Sequence, residues 1–191
     1  MEPLAKNLPS KQKRSARAAV GAPGRPARLQ VGALCWRRTG AGVLKILLIT
    51  SRDTGRWVIP KGWPMRNRTD AGAAEREAWE EAGVRGEIGP SFGFFSYVKN
   101  FGRGVSLDCL VQVFPLEVRH MHRNYPEIGQ RRVKWYPADR AAGKVSEPEL
   151  AVMIRAFADA MAQRRAAEAA AAAARPNELD GDRSPVEVGS D

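Results

Sequence analysis

Glu77, Glu80 and Glu81 stand within five consecutive positions of the stretch GWPMRNRTDAGAAEREAWEEAGV, Gly62 to Val84. On a helical wheel the three carboxylates share one arc of about 100°. Beside them, Ala71, Ala74, Ala78 and Ala82 fall within about 80° of one another. Alanines have no side chain to hold a helix off a sheet, so a helix striped this way lies close. Its glutamates are then held along the edge of the contact. Like charges three and four residues apart cost about 0.2–0.5 kcal/mol per pair in an isolated helix. Acids near a helix C-terminus also face the negative end of its macrodipole. A cation relieves both penalties, and hard divalent ions such as Mg²⁺ take carboxylate oxygens together with substrate phosphates. Taken alone, the pattern is equally that of a solvated acidic face.

The elements that must position these acids can be read along the chain. Leu29–Trp36 and Val43–Thr50 are apolar strands, with Arg38–Gly42 as the turn between them. Trp57, Val58 and Ile59 form a short strand that stops at Pro60. Ala71–Ala82 is the helix, with Asp70 expected as N-cap and Gly83 as the residue that ends it. Phe92, Phe94 and Tyr97 mark a further strand, followed by Val105–Leu116 and Val133–Tyr136. From Glu149 to about Ala174 a long helix carries Leu150, Met153, Ile154, Phe157 and Met161 at helical spacing before running into alanines. This order predicts an α+β fold in which helices pack on a mixed sheet. It lacks the regular alternation and the GxGxxG of a dinucleotide-binding domain.

The chain of 191 residues is long enough for one domain with tails. Its body is expected over residues 28–162. Residues 1–27, with Lys6, Lys11, Lys13, Arg14, Arg17 and Arg25, read as a disordered basic arm. Residues 163–174 read as an alanine-rich extension of the last helix, and 175–191 as a disordered polar tail. Hydrophobic residues make up 43% of the chain, enough for a core. No apolar run is long enough to span a membrane, and no apolar segment follows the basic N-terminus as a secretory signal requires. Cys35 and Cys109 sit in apolar runs, as buried thiols of a reducing cytoplasm do, and a cytoplasmic location is expected. His120 and His122 stand on a polar segment that does not join the cysteines in a zinc site. The net charge of +10 points to an anionic partner: nucleic acid, membrane surface or a phosphate-rich small molecule. The basic arm lacks interleaved aromatics, so nucleic acid is neither required nor excluded, and no membrane partner is expected.

The glycine, helix and glutamates together resemble the signature of the Nudix hydrolases, a glycine followed at fixed spacing by Arg-Glu-x-x-Glu-Glu-x-Gly. The matching positions are Gly62, Arg76, Glu77, Glu80, Glu81 and Gly83, with apolar Ala78 and Val84. One position departs: Arg68 stands where the family has an acid that pairs with the signature arginine. The segments SRDTGRWVIPKGWP and EIGQRRVKWYPADRA further resemble the diphosphoinositol polyphosphate phosphohydrolases and diadenosine polyphosphate hydrolases of that family. The resemblance implies an α/β/α sandwich with a mixed sheet, a short catalytic helix and a long C-terminal helix. It implies Mg²⁺, with Mn²⁺ as substitute, on Glu77, Glu81, the Gly62 carbonyl and Glu80. Glu80 is also the expected general base, and Arg76 the residue that orients the glutamates. Ser51, Arg52, Lys61, Arg28, Arg132 and Lys144 are the expected contacts to an anionic polyphosphate, although Gln30 replaces a second basic residue of the first strand. The expected activity is hydrolysis of a phosphoanhydride bond in a diadenosine or diphosphoinositol polyphosphate. Nucleoside diphosphate-linked compounds and RNA 5′ ends are alternative substrates, and a non-catalytic phosphate-binding module is the alternative to an enzyme. The presence of all three glutamates favours catalysis.

Overall fold

In the computed structural model, which describes residues 26–101 and 105–174, two long strands run parallel through one eight-stranded sheet. They are β1, Arg28–Arg38, and β7, Ser106–Met121, paired from Arg28 with Cys109 to Trp36 with Glu117. The other named strands pair antiparallel. They are β2 (Leu44–Thr50), β3 (Trp57–Val58), β4 (Lys61–Gly62), β5 (Val84–Ile88), β6 (Gly93–Asn100) and β8 (Val133–Pro137). Helix α1, Asp70–Ala82, covers one face, while α2, Ala138–Ala142, and α3, Pro148–Ala173, cover the other. The expected α+β class and three-layer arrangement are therefore present.

Alternation along the strands divides the core in two. Val31, Ala33 and Cys35 of β1, with Leu47 and Ile49 of β2 and Phe114 and Leu116 of β7, bury toward the α1 side. Leu34, Ile46, Leu48, Val111 and Val113 bury on the opposite face, against Leu150, Met153, Ile154 and Phe157 of α3. Beyond Met161 every described residue of α3 is exposed.

One irregularity of the sheet makes room for a site. β1 and β2 are paired only where Trp36, Arg37 and Arg38 meet Ile46, Lys45 and Leu44. Farther from that hairpin, β3 joins β2 through Ile49 and Thr50, while β4 joins β1 through Val31 and Gly32. The two strands therefore part, and the segment Trp57–Gly62 fills the opening between them.

Several expected boundaries change. The N-cap of α1 is Thr69, not Asp70: Thr69 is extended and its Oγ1 accepts from the Gly72 N–H at 3.1 Å. Asp70 is instead the first helical residue, where its charge suits the positive end of the dipole. Gly83 ends the helix as expected, at φ +67°, with its N–H donating to the carbonyls of Ala78 and Trp79. A Cβ there would also run into the ring of Tyr125. β7 continues to Met121, past the expected end at Leu116. Three elements were not anticipated: β4 and α2 are too short to show a period, and β5 is interrupted by Gly86 at a bulge. All but the last two residues of the expected arm, and the whole expected tail 175–191, lie outside the described residues.

Candidate active site

Buried Ala73, Ala74, Ala78 and Ala82 seat α1 on the sheet. The seat is close enough to bring its glutamates onto β4. The carboxylate of Glu77 lies directly over the Cα of Gly62, in the space a Cβ would fill. Any other residue at position 62 would displace that side chain. Glu81, itself buried, accepts at Oε2 from the Lys61 N–H at 3.0 Å. Glu80 takes a different partner, the Nε of Arg76 at 2.5 Å. The Arg76 guanidinium also stacks on Trp79, 4.4 Å from the ring centroid, so the missing family acid is replaced by a local pair on α1.

Glu81 is held from its other side by Arg131, which sequence reasoning did not select. This guanidinium is buried; it contacts Glu81 Oε1 and donates to Glu127 Oε2 at 2.7 Å and to the Thr50 carbonyl at 3.1 Å. Glu127 arrives because its N–H donates to the Glu80 carbonyl, tying the loop before β8 to the end of α1. Arg52 closes the chain at 3.4 Å from Glu127. Neutralisation is uneven as a result. Glu77 has no salt bridge among the described residues. Burial raises its carboxyl to about 7, with the charges of Glu81, Glu80 and Glu127 adding to the effect. Burial also raises Glu81, against the opposing pull of Arg131 and the Lys61 N–H. It lowers the Lys61 ammonium, whose charged form Glu81 and Glu147 favour.

These groups line a cleft of about 340 Å³. Of the expected site residues, Glu77, Glu80, Glu81, Gly62, Ser51, Arg52 and Lys61 border it. Ser51 shares a hydrogen bond of 2.6 Å with Thr54, and Lys61 places its ammonium 4.9 Å from the ring centroid of Tyr97. Four expected residues do not line the cleft. Arg76 is turned to Glu80 and Trp79. Arg28 lies over Trp63, 4.7 Å from its centroid, and so stands behind a cleft residue. Arg132 lies over Trp57, 5.4 Å from its centroid, one position away from the cleft residue Arg131. Lys144 is exposed on the turn after α2. Gln30 is buried and accepts from the Tyr97 hydroxyl at 2.7 Å, an uncharged pair where the resemblance led to a basic contact.

Among the described residues no three carboxylate, histidine or cysteine side chains converge closely enough to form a closed metal cage. The donors nevertheless suit a divalent ion. Glu77 makes no salt bridge among the described residues and lies against the Gly62 backbone, and Glu81 is one helical turn away. Magnesium keeps several waters and takes few protein carboxylates, so a closed cage is not what it needs.

A carboxylate helix docked by alanines on a parted mixed sheet, with basic side chains at the opening, places the molecule in the α/β/α class. The sequence profile of the NUDIX domain matches residues 26–157, and the chain belongs to the Nudix family. It is 30% identical over 99 residues to diphosphoinositol polyphosphate phosphohydrolase 3-beta of Bos taurus, covering 50% of this chain and 56% of that one. It is 32% identical over 108 residues to the chloroplastic Nudix hydrolase 21 of Arabidopsis thaliana, covering 56% and 52%. The chain thus spans about half the length of these curated relatives. An Ap4A hydrolase of C. elegans superposes with a TM-score of 0.51 at 18% identity, over 71% of this chain and 98% of that one, a likeness of fold.

Proposed function

We propose that this chain hydrolyses a phosphoanhydride bond of an anionic polyphosphate with the help of Mg²⁺ or Mn²⁺. The observation that carries this reading is the Glu77 carboxylate, seated on Gly62 with no salt bridge among the described residues and raised by burial and neighbouring acids. When bound there, a divalent ion lowers the pKa of the attacking water and neutralises phosphate oxygens. Glu77 and Glu81, with the Gly62 carbonyl, would hold it. Glu80 faces the same cleft and would take the proton of the water as general base, which must lie within one water of the nucleophile. Arg76 holds Glu80 in place through their pair on one helix face. Arg52 and Lys61 would receive the phosphates, Arg52 from the exposed rim and Lys61 from the wall. The names of the relatives suggest diadenosine and diphosphoinositol polyphosphates as substrates. Free, buried Cys35 and Cys109 suit a cytoplasmic location.

The test is product chromatography on diadenosine polyphosphates, diphosphoinositol polyphosphates, nucleoside triphosphates and capped RNA, with Mg²⁺ or Mn²⁺. Metal-dependent cleavage of at least one is expected. Binding without cleavage of any would make the domain a phosphate-binding module.

A further inference from the structure

Arg131 borders the cleft and is not used by the proposed hydrolysis. Only 7% of its side chain is exposed, against 58% for Arg52 and 44% for Arg56, the other arginines of the lining. Each of its three nitrogens is engaged: Nη2 with Glu81, Nε with Glu127 at 2.7 Å and Nη1 with the Thr50 carbonyl at 3.1 Å. The chain beneath it is pinned to β2 as well. The Arg132 N–H donates to the Thr50 hydroxyl at 3.0 Å, and the Thr50 N–H donates to the Arg132 carbonyl at 3.0 Å. A guanidinium held in this way is a fixed charge lodged between two carboxylates, not a mobile grip on phosphate.

The charges around it come close to balancing. Although the chain carries +10, six acids and five bases border the cleft. Four of those acids are Glu77, Glu80, Glu81 and Glu127, near enough for the other three to act on the Glu77 carboxyl. Arg76 answers Glu80, and Arg131 answers Glu81 and Glu127. Arg52 reaches Glu127 only from the exposed rim, where water and salt screen it. Two guanidiniums against four carboxylates leave two negative charges, which one divalent ion neutralises. Glu81 can still lend an oxygen to an ion at Glu77: a carboxylate has about four acceptor sites, and the Lys61 N–H and Arg131 occupy two of them. Sites that use two ions hold them about 3.5–4 Å apart. A second ion beside Glu77 would need carboxylates of its own, and Arg131 already sits between Glu81 and Glu127.

We propose that Arg131 is a positioning residue that takes the place of a second divalent ion between Glu81 and Glu127, so that the substrate-free cleft binds one ion, at Glu77. Any further ion then arrives with the phosphates of the substrate. The inference rests on the proposed metal role of Glu77 but not on turnover, and the number of bound ions is its readout.

The experiment counts Mn²⁺ on the metal-stripped full chain by the loss of the free-ion signal in electron paramagnetic resonance. The unaltered protein is expected to bind one ion per chain, with no spin coupling. Arg131→Met removes the charge while keeping an unbranched side chain, and should bind two ions whose coupled spectrum reports their closeness. Adding Glu127→Gln to Arg131→Met should return the count to one. Arg131→Lys keeps the charge and should stay at one. Affinity follows the number of charged ligands, so Glu77→Gln should weaken the single ion by about tenfold more than Glu127→Gln does. Two ions on the unaltered protein, or one ion on a folded Arg131→Met, would overturn the proposal. So would a loss for Glu127→Gln as large as that for Glu77→Gln, because Glu127 would then be a ligand. The count on the unaltered protein and the comparison of the two glutamate variants decide the matter even if Arg131→Met does not fold. No bound Mn²⁺ at millimolar concentration would defeat the metal role of Glu77 and this inference with it, whereas two ions on the unaltered protein would defeat this inference alone.

Discussion

The two faces of the sheet are packed with opposite kinds of side chain. Against α3 the core is built from large groups: Leu150, Ile154 and Phe157 meet Leu34, Phe95 and Trp36, with Trp36 and Phe157 in an edge-to-face contact at 5.8 Å. Against α1 the helix contributes alanines, Ala73, Ala74, Ala78 and Ala82. Burying a Phe or Leu contributes about 1.5–3 kcal/mol, and an alanine much less. The α3 face therefore supplies more stability per residue. The α1 face supplies proximity, since only a helix without bulk can place Glu77 on the backbone of Gly62.

The largest expected effects fall on the α1 face and are catalytic. Glu80→Gln removes the proposed proton acceptor and should lower the rate about 10²–10⁴-fold, with little recovery at high metal. Glu77→Gln and Glu81→Gln should recover part of their lost rate as Mg²⁺ or Mn²⁺ is raised. Rate against metal concentration separates the roles, and rescue of Glu80→Gln but not of Glu77→Gln would exchange them.

Stability should divide the other way. Phe157→Ala opens a cavity in the α3 face and is expected to cost about 3–5 kcal/mol, with turnover of the folded fraction unchanged. Ala78→Val overpacks the α1 face at about 1–3 kcal/mol, yet it should lower activity by pushing the glutamates away from β4. Denaturant unfolding and rates on both variants provide the check. A greater stability loss at Ala78, or a greater activity loss at Phe157, would break the division.

A smaller effect is expected with pH in the metal-free protein. Glu77, held at about 7 against an ordinary 4.5, binds its proton more tightly folded than unfolded. Its contribution to stability is therefore greatest below about 4.5, falls as pH rises to about 7, and is constant above. The melting temperature should decline across that window and regain more with Mg²⁺ above pH 7 than below 4.5. Glu77→Gln should flatten the decline, and an unchanged slope in that variant would remove Glu77 as its source. The smallest effect belongs to the exposed end of α3. Ending the chain after residue 162 should change the unfolding free energy by no more than about 0.5 kcal/mol, and a larger change in denaturant unfolding would show that this segment is packed.

Local patterns were enough to place α1, its glutamates and Gly62. Helical period, a capping glycine and a spacing of fifteen residues from Gly62 to Glu77 all act within one stretch of chain. The long strands were legible for the same reason, as apolar runs, and the buried half of α3 by its period of 3.6. The cap was misplaced by one residue because Thr69 and Asp70 are both good N-caps and only backbone conformation separates them. Tertiary structure alone decided which cations and acids surround the glutamates. Arg131, in the bend before β8, reaches Glu81, while Arg132 lies over Trp57. Glu127 is delivered by a backbone bond to Glu80, and Glu147 by the start of a helix that packs on the other face. The net charge of +10 gave no warning that the cleft itself holds more acids than bases. Periodicity and capping act between residues a few positions apart and leave a pattern in the sequence. Pairings across dozens of residues depend on where strands part and loops return, and leave none.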